Sequence, residues 1–152
     1  MCVIVDINIA SRVLLTRDDP DFNLINAALM KRRLVLVYGG KLAKEYSRHG
    51  EVCRFVNSLG QAGIAHIISK ELIDGEIKWL ETQGECVSND KHILALARAS
   101  AARLLCSDDQ NLICDFGNKR IINQPRGKTY KNSQHKHLLK KACQIRRNKS
   151  TG

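Results

Sequence analysis

The sequence predicts an α/β domain of three layers (α/β/α), with helices over both faces of a mainly parallel sheet. Three observations predict it. Short apolar runs rich in β-branched residues and leucine recur at residues 2–5, 34–37 and 103–106. Stretches with helix-like apolar spacing separate them, and strands alternating with helices imply parallel pairing. A chain of 152 residues with 43% hydrophobic content is large enough for one real core.

Residues 2–5, Cys-Val-Ile-Val, read as a buried strand ending at Asp6. A helix starts within 7–15 and is interrupted by Asp18-Asp19-Pro20-Asp21. Residues 22–31 form the next helix, offering Leu24, Ala27, Ala28 and Leu29 to the core. The second strand, 34–37, stops at Gly39-Gly40. One helix then spans 41–59, with Leu42, Tyr46, Cys53, Val56 and Leu59 on a stripe, and Gly60 and Gly63 end it. Residues 64–68 make a short strand, and a helix runs from Ser69 to about Leu80. Ser88 or Asn89 caps a helix over 90–100. Residues 103–106 are the third clear strand, after which Ser107 caps a helix over 108–114 with Gln110 in the capping-box position. A last strand is expected at 119–122, and Gln124-Pro125-Arg126-Gly127 marks the domain edge. The domain thus covers 1–122, followed by a basic, flexible tail, 123–152. Helical spacing returns there over 137–147, with Leu138, Leu139, Ala142 and Ile145 set to dock.

The formal net charge of +10 is unevenly placed. Residues 1–118 carry 14 Lys/Arg and 15 Asp/Glu, whereas 119–152 carry 11 Lys/Arg and no acid. A near-neutral body therefore bears a basic extension, and such charge attracts phosphate backbones without sequence choice. Arg126, Lys128 and Lys131 in the extension, with Lys91, His92 and Arg98 in the body, are the candidate nucleic-acid contacts. No apolar run approaches the roughly 18 residues that span a bilayer. Asp6 comes too early for a signal peptide, so a cytoplasmic protein off the membrane is expected. The six cysteines form no C-x-x-C pair, which argues against structural zinc and for reduced thiols.

Sites in parallel sheets form beyond the carboxyl ends of the strands. Asp6 follows the first strand there, and Asp108 and Asp109 follow the strand ending at Cys106. Asp90 opens a helix, and Glu45 projects from the first turns of the helix after the second strand. Taken singly, Asp90, Asp108 and Asp109 are also good helix caps. Clustered carboxylates repel one another unless a cation neutralises them. Mg²⁺ or Mn²⁺ prefers such oxygen ligands and assists phosphodiester hydrolysis.

Four segments together resemble the PIN domain, the nuclease fold of VapC-like toxins and several RNA-processing enzymes. They are Val-Ile-Val-Asp6-Ile-Asn8, Lys-Leu-Ala-Lys-Glu45-Tyr, Asn-Asp90-Lys-His-Ile-Leu-Ala-Leu-Ala, and Leu-Leu-Cys-Ser-Asp108-Asp109-Gln-Asn-Leu. The resemblance covers about residues 2–122. It implies a Mg²⁺- or Mn²⁺-dependent endoribonuclease acting through Asp6, Glu45, Asp90 and Asp109. Metal would be held by Asp6, Asp90 and Asp109, with Asp108 second to Asp109, and Asn8 and Ser107 would position substrate. RNA is the implied partner, with a protein antitoxin and a second copy of the chain as further partners. Asn111 stands where many relatives place another Asp.

Two rival readings use the same residues. A haloacid-dehalogenase-type phosphohydrolase also places an Asp after its first strand, but its acid two residues on is Asn8 here. A non-catalytic RNA-binding or scaffolding module would keep the acids as caps. Gly39-Gly40-Lys41 is not a phosphate loop, since Leu42 stands where a metal-binding Ser or Thr is needed.

Overall fold

The computed structural model describes residues 1–140. Its sheet has five strands: β1 (Cys2–Val5), β2 (Val35–Gly39), β3 (Ala65–Ile68), β4 (Leu104–Cys106) and β5 (Lys128–Thr129). Their order is β3-β2-β1-β4-β5, and every neighbouring pair is parallel. Helices α1 (Asn23–Met30), α2 (Gly40–Ser47), α3 (Gly50–Gln61), α4 (Lys70–Gln83), α5 (Lys91–Ser100) and α6 (Gln110–Phe116) connect and cover the strands. β1 and β4 are buried along their whole length, as central strands covered on both faces must be. The α/β class with a parallel sheet is therefore as the sequence predicts. No helix among the described residues is long and apolar enough to cross a membrane.

The chain runs from β1 to β2 on one side and later returns to β4 on the other. That reversal opens a crevice at the carboxyl ends of β1 and β4. The β1–β4 register, with Val5 opposite Cys106, brings the residues after both strands together, and the Asp6 N–H donates to the Cys106 carbonyl at 2.9 Å.

Several local expectations change. The helix predicted over 41–59 is two helices, broken at Arg48 and His49, where the His49 imidazole accepts the Val52 N–H and starts α3 afresh. Residues 7–15 form two short helical turns, Ile7–Ile9 and Ser11–Leu15. The last strand is Lys128–Thr129, while 119–122 are turns. The boundary expected at 122 therefore falls inside the folded unit. Tyr130 is fully buried against Phe22, with ring centroids 6.0 Å apart, and Leu138 and Leu139 pack against the core. Composition misled here because one strand and a few apolar anchors suffice to dock a basic segment. The helix expected over 137–147 is a 3₁₀ segment over Ser133–Lys140, and its remainder lies outside the described residues. Cys53, Cys86, Cys106 and Cys114 are free, but Cys2 is disulfide-bonded, a departure from reduced thiols throughout. Pairing depends on the approach of two Cα atoms in space, which chain spacing does not report.

Two glycines permit close approaches. A Cβ at Gly39 would stand 2.7 Å from the Ile68 carbonyl oxygen, so the β2–β3 pair needs glycine there. A Cβ at Gly127 would stand 2.5 Å from Phe116 Cδ2, at the junction that lays β5 beside α6. Gly127→Ala is expected to lower stability by about 2–3 kcal/mol through overpacking, read as a lower urea midpoint.

Candidate active site

The site begins with a carboxylate that the apolar strand carries indoors. Asp6 is only 4% exposed at the end of β1. The Ser107 hydroxyl, at the end of β4, donates to Asp6 Oδ2 at 2.8 Å and accepts the Asp109 N–H at 3.1 Å. Ser107 thus ties the first acid to the last. It is not the cap of α6, as the sequence predicts. That role falls to Asp109, whose Oδ1 accepts the N–H groups of Asn111 and Leu112 at 3.0 and 3.2 Å.

Asp90 occupies the N-cap position of α5 yet makes no side-chain cap bond. Asp109 stands close enough to raise the Asp90 carboxyl above its ordinary value. Glu45 reaches the site from α2, where the adjacent Tyr46 is buried and donates its hydroxyl to the Val5 carbonyl, pinning the helix to β1. Glu45 Oε1 lies 3.2 Å from His92 Nε2, and His92 Nδ1 lies 4.0 Å from Asp90 Oδ1. The sequence predicts His92 as a nucleic-acid contact. Instead it is buried and wedged between two of the acids. An ionised carboxylate only accepts, so Nε2 carries the proton toward Glu45.

The electrostatics follow from this crowding. Burial pushes the Asp6 carboxyl from its ordinary 3.8 up to about 6. The Ser107 bond opposes that rise, while the charges of Asp90 and Glu45 add to it. Burial also raises Asp90, with Asp109 and Glu45 adding and His92 opposing. Burial lowers His92 below its ordinary value, against the pull of Glu45 and Asp90. Four acids from four segments are therefore electrically coupled around one crevice.

The other predicted residues divide. Asp108 is exposed beside Asp109, and Asn8 is exposed on the turn after Asp6. Lys91 is half-buried at the start of α5. Arg98 is engaged structurally: it pairs with Glu76 at 2.7 Å, donates to the Ile121 carbonyl at 2.7 Å, and lies 3.6 Å from the Trp79 ring centroid. Arg126 donates to the Gly117 carbonyl, and Lys128 sits in β5. Lys131 is exposed, and its backbone N–H donates to His135 Nδ1. None of these four has a contact with the acidic crevice among the described residues.

One supporting residue, Asp115, escapes a reading by sequence, and Ser88, expected to cap the helix over 90–100, holds the Asp90 backbone instead. Asp115, 2% exposed in α6, accepts the Val87 N–H with both carboxylate oxygens at 3.1 Å and the Ser88 N–H at 2.8 Å. The Ser88 hydroxyl in turn accepts the Asp90 N–H at 2.8 Å. A chain of hydrogen bonds thus runs from α6 to Asp90. Its one sequence signal is an acid between Leu112 and Phe116 on the apolar face of α6.

All four acids offer oxygen, the donor that hard divalent cations prefer. Among the described residues no three His, Cys, Asp or Glu side chains stand as a ready-made metal site. The oxygen chemistry of the four acids is compatible with such a cation, and they are not closed around one. No family model matches the chain, and neither a curated protein nor a solved structure matches it.

The raised value at Asp6 sets a pH dependence. Below 3.8 the group is protonated in both folded and unfolded chains and costs nothing. Between 3.8 and about 6 the unfolded chain ionises first, so stability falls as pH rises. Asp6→Asn is therefore expected to stabilise the metal-free protein by up to about 3 kcal/mol at pH 7.5, with the gain vanishing near pH 3.5. Urea denaturation at the two pH values reads both. Asp115→Ala is expected to cost about 1–3 kcal/mol, because the buried Ser88 N–H and the part-buried Val87 N–H lose their acceptor. Amide exchange at Val87 and Ser88 should accelerate with it.

Proposed function

We propose that the chain is an endoribonuclease, a hydrolase of RNA phosphodiester bonds that works with Mg²⁺ or Mn²⁺. The observation that carries this reading is the convergence of Asp6, Glu45, Asp90 and Asp109 on the crevice at the ends of β1 and β4. Neither Asp6 nor Asp90 makes a side-chain cap bond, and both are held with their protons bound more tightly than usual. Keeping mutually repelling acids together is costly for a fold, and recurs where the cluster has a chemical use.

Asp6, Asp90 and Asp109 would hold the ion, with Asp108 at the exposed rim. When bound, the ion supplies charge neutralisation at the phosphodiester and lowers the pKa of a water. The chain's own groups do the rest. Glu45, steadied by His92, would accept the proton of the attacking water. Ser107 holds Asp6 and Asp109 at fixed separation, and the link from Asp115 through Ser88 holds the backbone of Asp90. On this reading RNA is the substrate, a protein antitoxin is a further partner, and the cytoplasm is the compartment.

A second reading, an RNA-binding module without cleavage, is favoured by one observation: Asp109 spends Oδ1 on capping α6. A cleavage assay on mixed single-stranded RNA and DNA, with Mg²⁺ or Mn²⁺ against EDTA, separates the two. Asp6→Asn and Asp90→Asn are each expected to lower RNA cleavage at least about 100-fold while remaining folded. Mn²⁺ should raise the Tm of the wild type and leave the double variant unmoved. Metal-dependent cleavage undiminished in Asp6→Asn sinks the nuclease reading, and RNA binding without cleavage under Mn²⁺ selects the second.

A further inference from the structure

At the other end of the sheet lies a surface of opposite charge. Arg103 immediately precedes β4, and Lys128 opens β5 opposite Leu104. A pocket of about 310 Å³ there is lined by Trp79, Arg98, Arg103, Lys119 and Arg120 together with Ile121, Asn123 and Gln124. A second, of about 290 Å³, is lined by Arg103, Arg126 and Lys128 together with Met1, Leu104, Pro125 and Leu138. Arg103 lines both, so the two are neighbours near the amino ends of β4 and β5 and together make up a basic groove. No acid lines either pocket.

The cations are poorly neutralised. Among the described residues, Arg98 pairs with Glu76, and Arg120 lies 3.6 Å from Glu85. Arg103 donates only to carbonyls, those of Ala97, Ala102 and Asn123 at 2.7–3.2 Å. Carbonyls satisfy its N–H groups and leave its charge uncompensated. Burial first, and then Arg98, push that guanidinium below its ordinary pKa. Such a groove draws an anion that brings charge without needing further donors.

We propose that this groove binds the phosphate backbone of a single-stranded RNA, apart from the acidic crevice. The exposed Lys119, Arg120 and Lys128 carry the donors for phosphate oxygens, while Arg103 adds its charge. The Arg98 guanidinium lies over the Trp79 ring at 3.6 Å, and a base can stack on such a flat platform. Asp and Glu side chains have no aromatic face to stack there, which favours nucleic acid over acidic protein. The distance also has meaning. Asp90 precedes α5 and Arg98 lies in its last turn, eight residues or about 12 Å further along the axis. A strand held in the groove is therefore tethered within a few nucleotide steps of the acids. The proposal shares RNA with the reading above but does not need the acids to cleave it.

The test uses the full chain in EDTA with a fluorescein-labelled single-stranded RNA of about 12 nucleotides, within the span such grooves track. Trp79 is the one tryptophan of the chain, so its fluorescence reports the groove directly. Expected for the wild type is a Trp79 signal that saturates with RNA binding. Lys119→Glu, Arg120→Glu and Lys128→Glu together should weaken binding at least about tenfold at 100 mM salt and lower the salt slope by about 2. They should also abolish the Trp79 response. Arg17→Glu, Lys31→Glu and Arg54→Glu change the net charge equally on other exposed faces and should stay within about twofold of wild type. Asp6→Asn should bind as wild type does, so that failure of binding and failure of catalysis are told apart. Circular dichroism checks each variant, and the milder pair Lys119→Gln with Lys128→Gln replaces the triple if that does not fold. Wild-type affinity in the groove variants overturns the proposal. Equal loss in the control triple also overturns it, by showing diffuse attraction. So does displacement of RNA by polyglutamate with the same Trp79 response, by showing a site for acidic protein.

Discussion

The hydrogen bond from Ser107 to Asp6 joins the ends of the two central strands, and the site is arranged around it. A carboxylate buried at the end of an apolar strand is costly, and here burial is the largest influence on its ionisation. The hydroxyl of Ser107 offsets part of that cost. Through its second bond, from the Asp109 N–H, the same oxygen sets where α6 begins. The β1–β4 register makes this contact automatic, because residues that follow paired parallel strands emerge side by side. The acidic crevice is thus a consequence of strand pairing before it is a matter of side-chain choice.

Around that bond the structure uses neutral and polar groups to hold acids that repel. His92, whose charged form burial disfavours, stands between Glu45 and Asp90 with Nε2 3.2 Å from Glu45. Tyr46 pins α2 through the Val5 carbonyl, next to the strand end that carries Asp6. Asp115 fixes the loop before Asp90 from the far end of α6. The same helix therefore carries one acid of the crevice at its start and the anchor of another near its end. Functional acids and structural acids share elements, so a substitution at Asp115 reaches the crevice without touching it.

Charge is separated along the strand axis. The acids gather at the carboxyl ends of β1 and β4, while Arg98, Arg103, Lys119, Arg120, Arg126 and Lys128 gather at the amino ends of β4 and β5. The polarity follows from parallel strands, whose like ends all face one way. It gives the molecule two faces toward a polyanion, one that repels unless neutralised and one that attracts.

Apolar runs of period and length proper to strands, separated by helical spacing, determined the α/β class, most of the elements and the acids worth attention. These are local properties, and Asp6 and Asp90 were legible because an acid beside a buried strand or a helix start is itself a local event. The charge count likewise marked a basic C-terminal stretch over 119–152. Only the tertiary structure decided which acid caps and which is free. Asp90 stands at a cap position yet makes no side-chain cap bond, and Asp109 caps α6 in place of Ser107. It also decided that His92 faces acids rather than solvent, that Arg98 lies on Trp79, and that β5 lies beyond the expected domain edge. Each of these depends on residues far apart in the chain meeting in space. Local propensity carries no information about such partners, because the free energy that selects them comes from burial and pairing across the sheet.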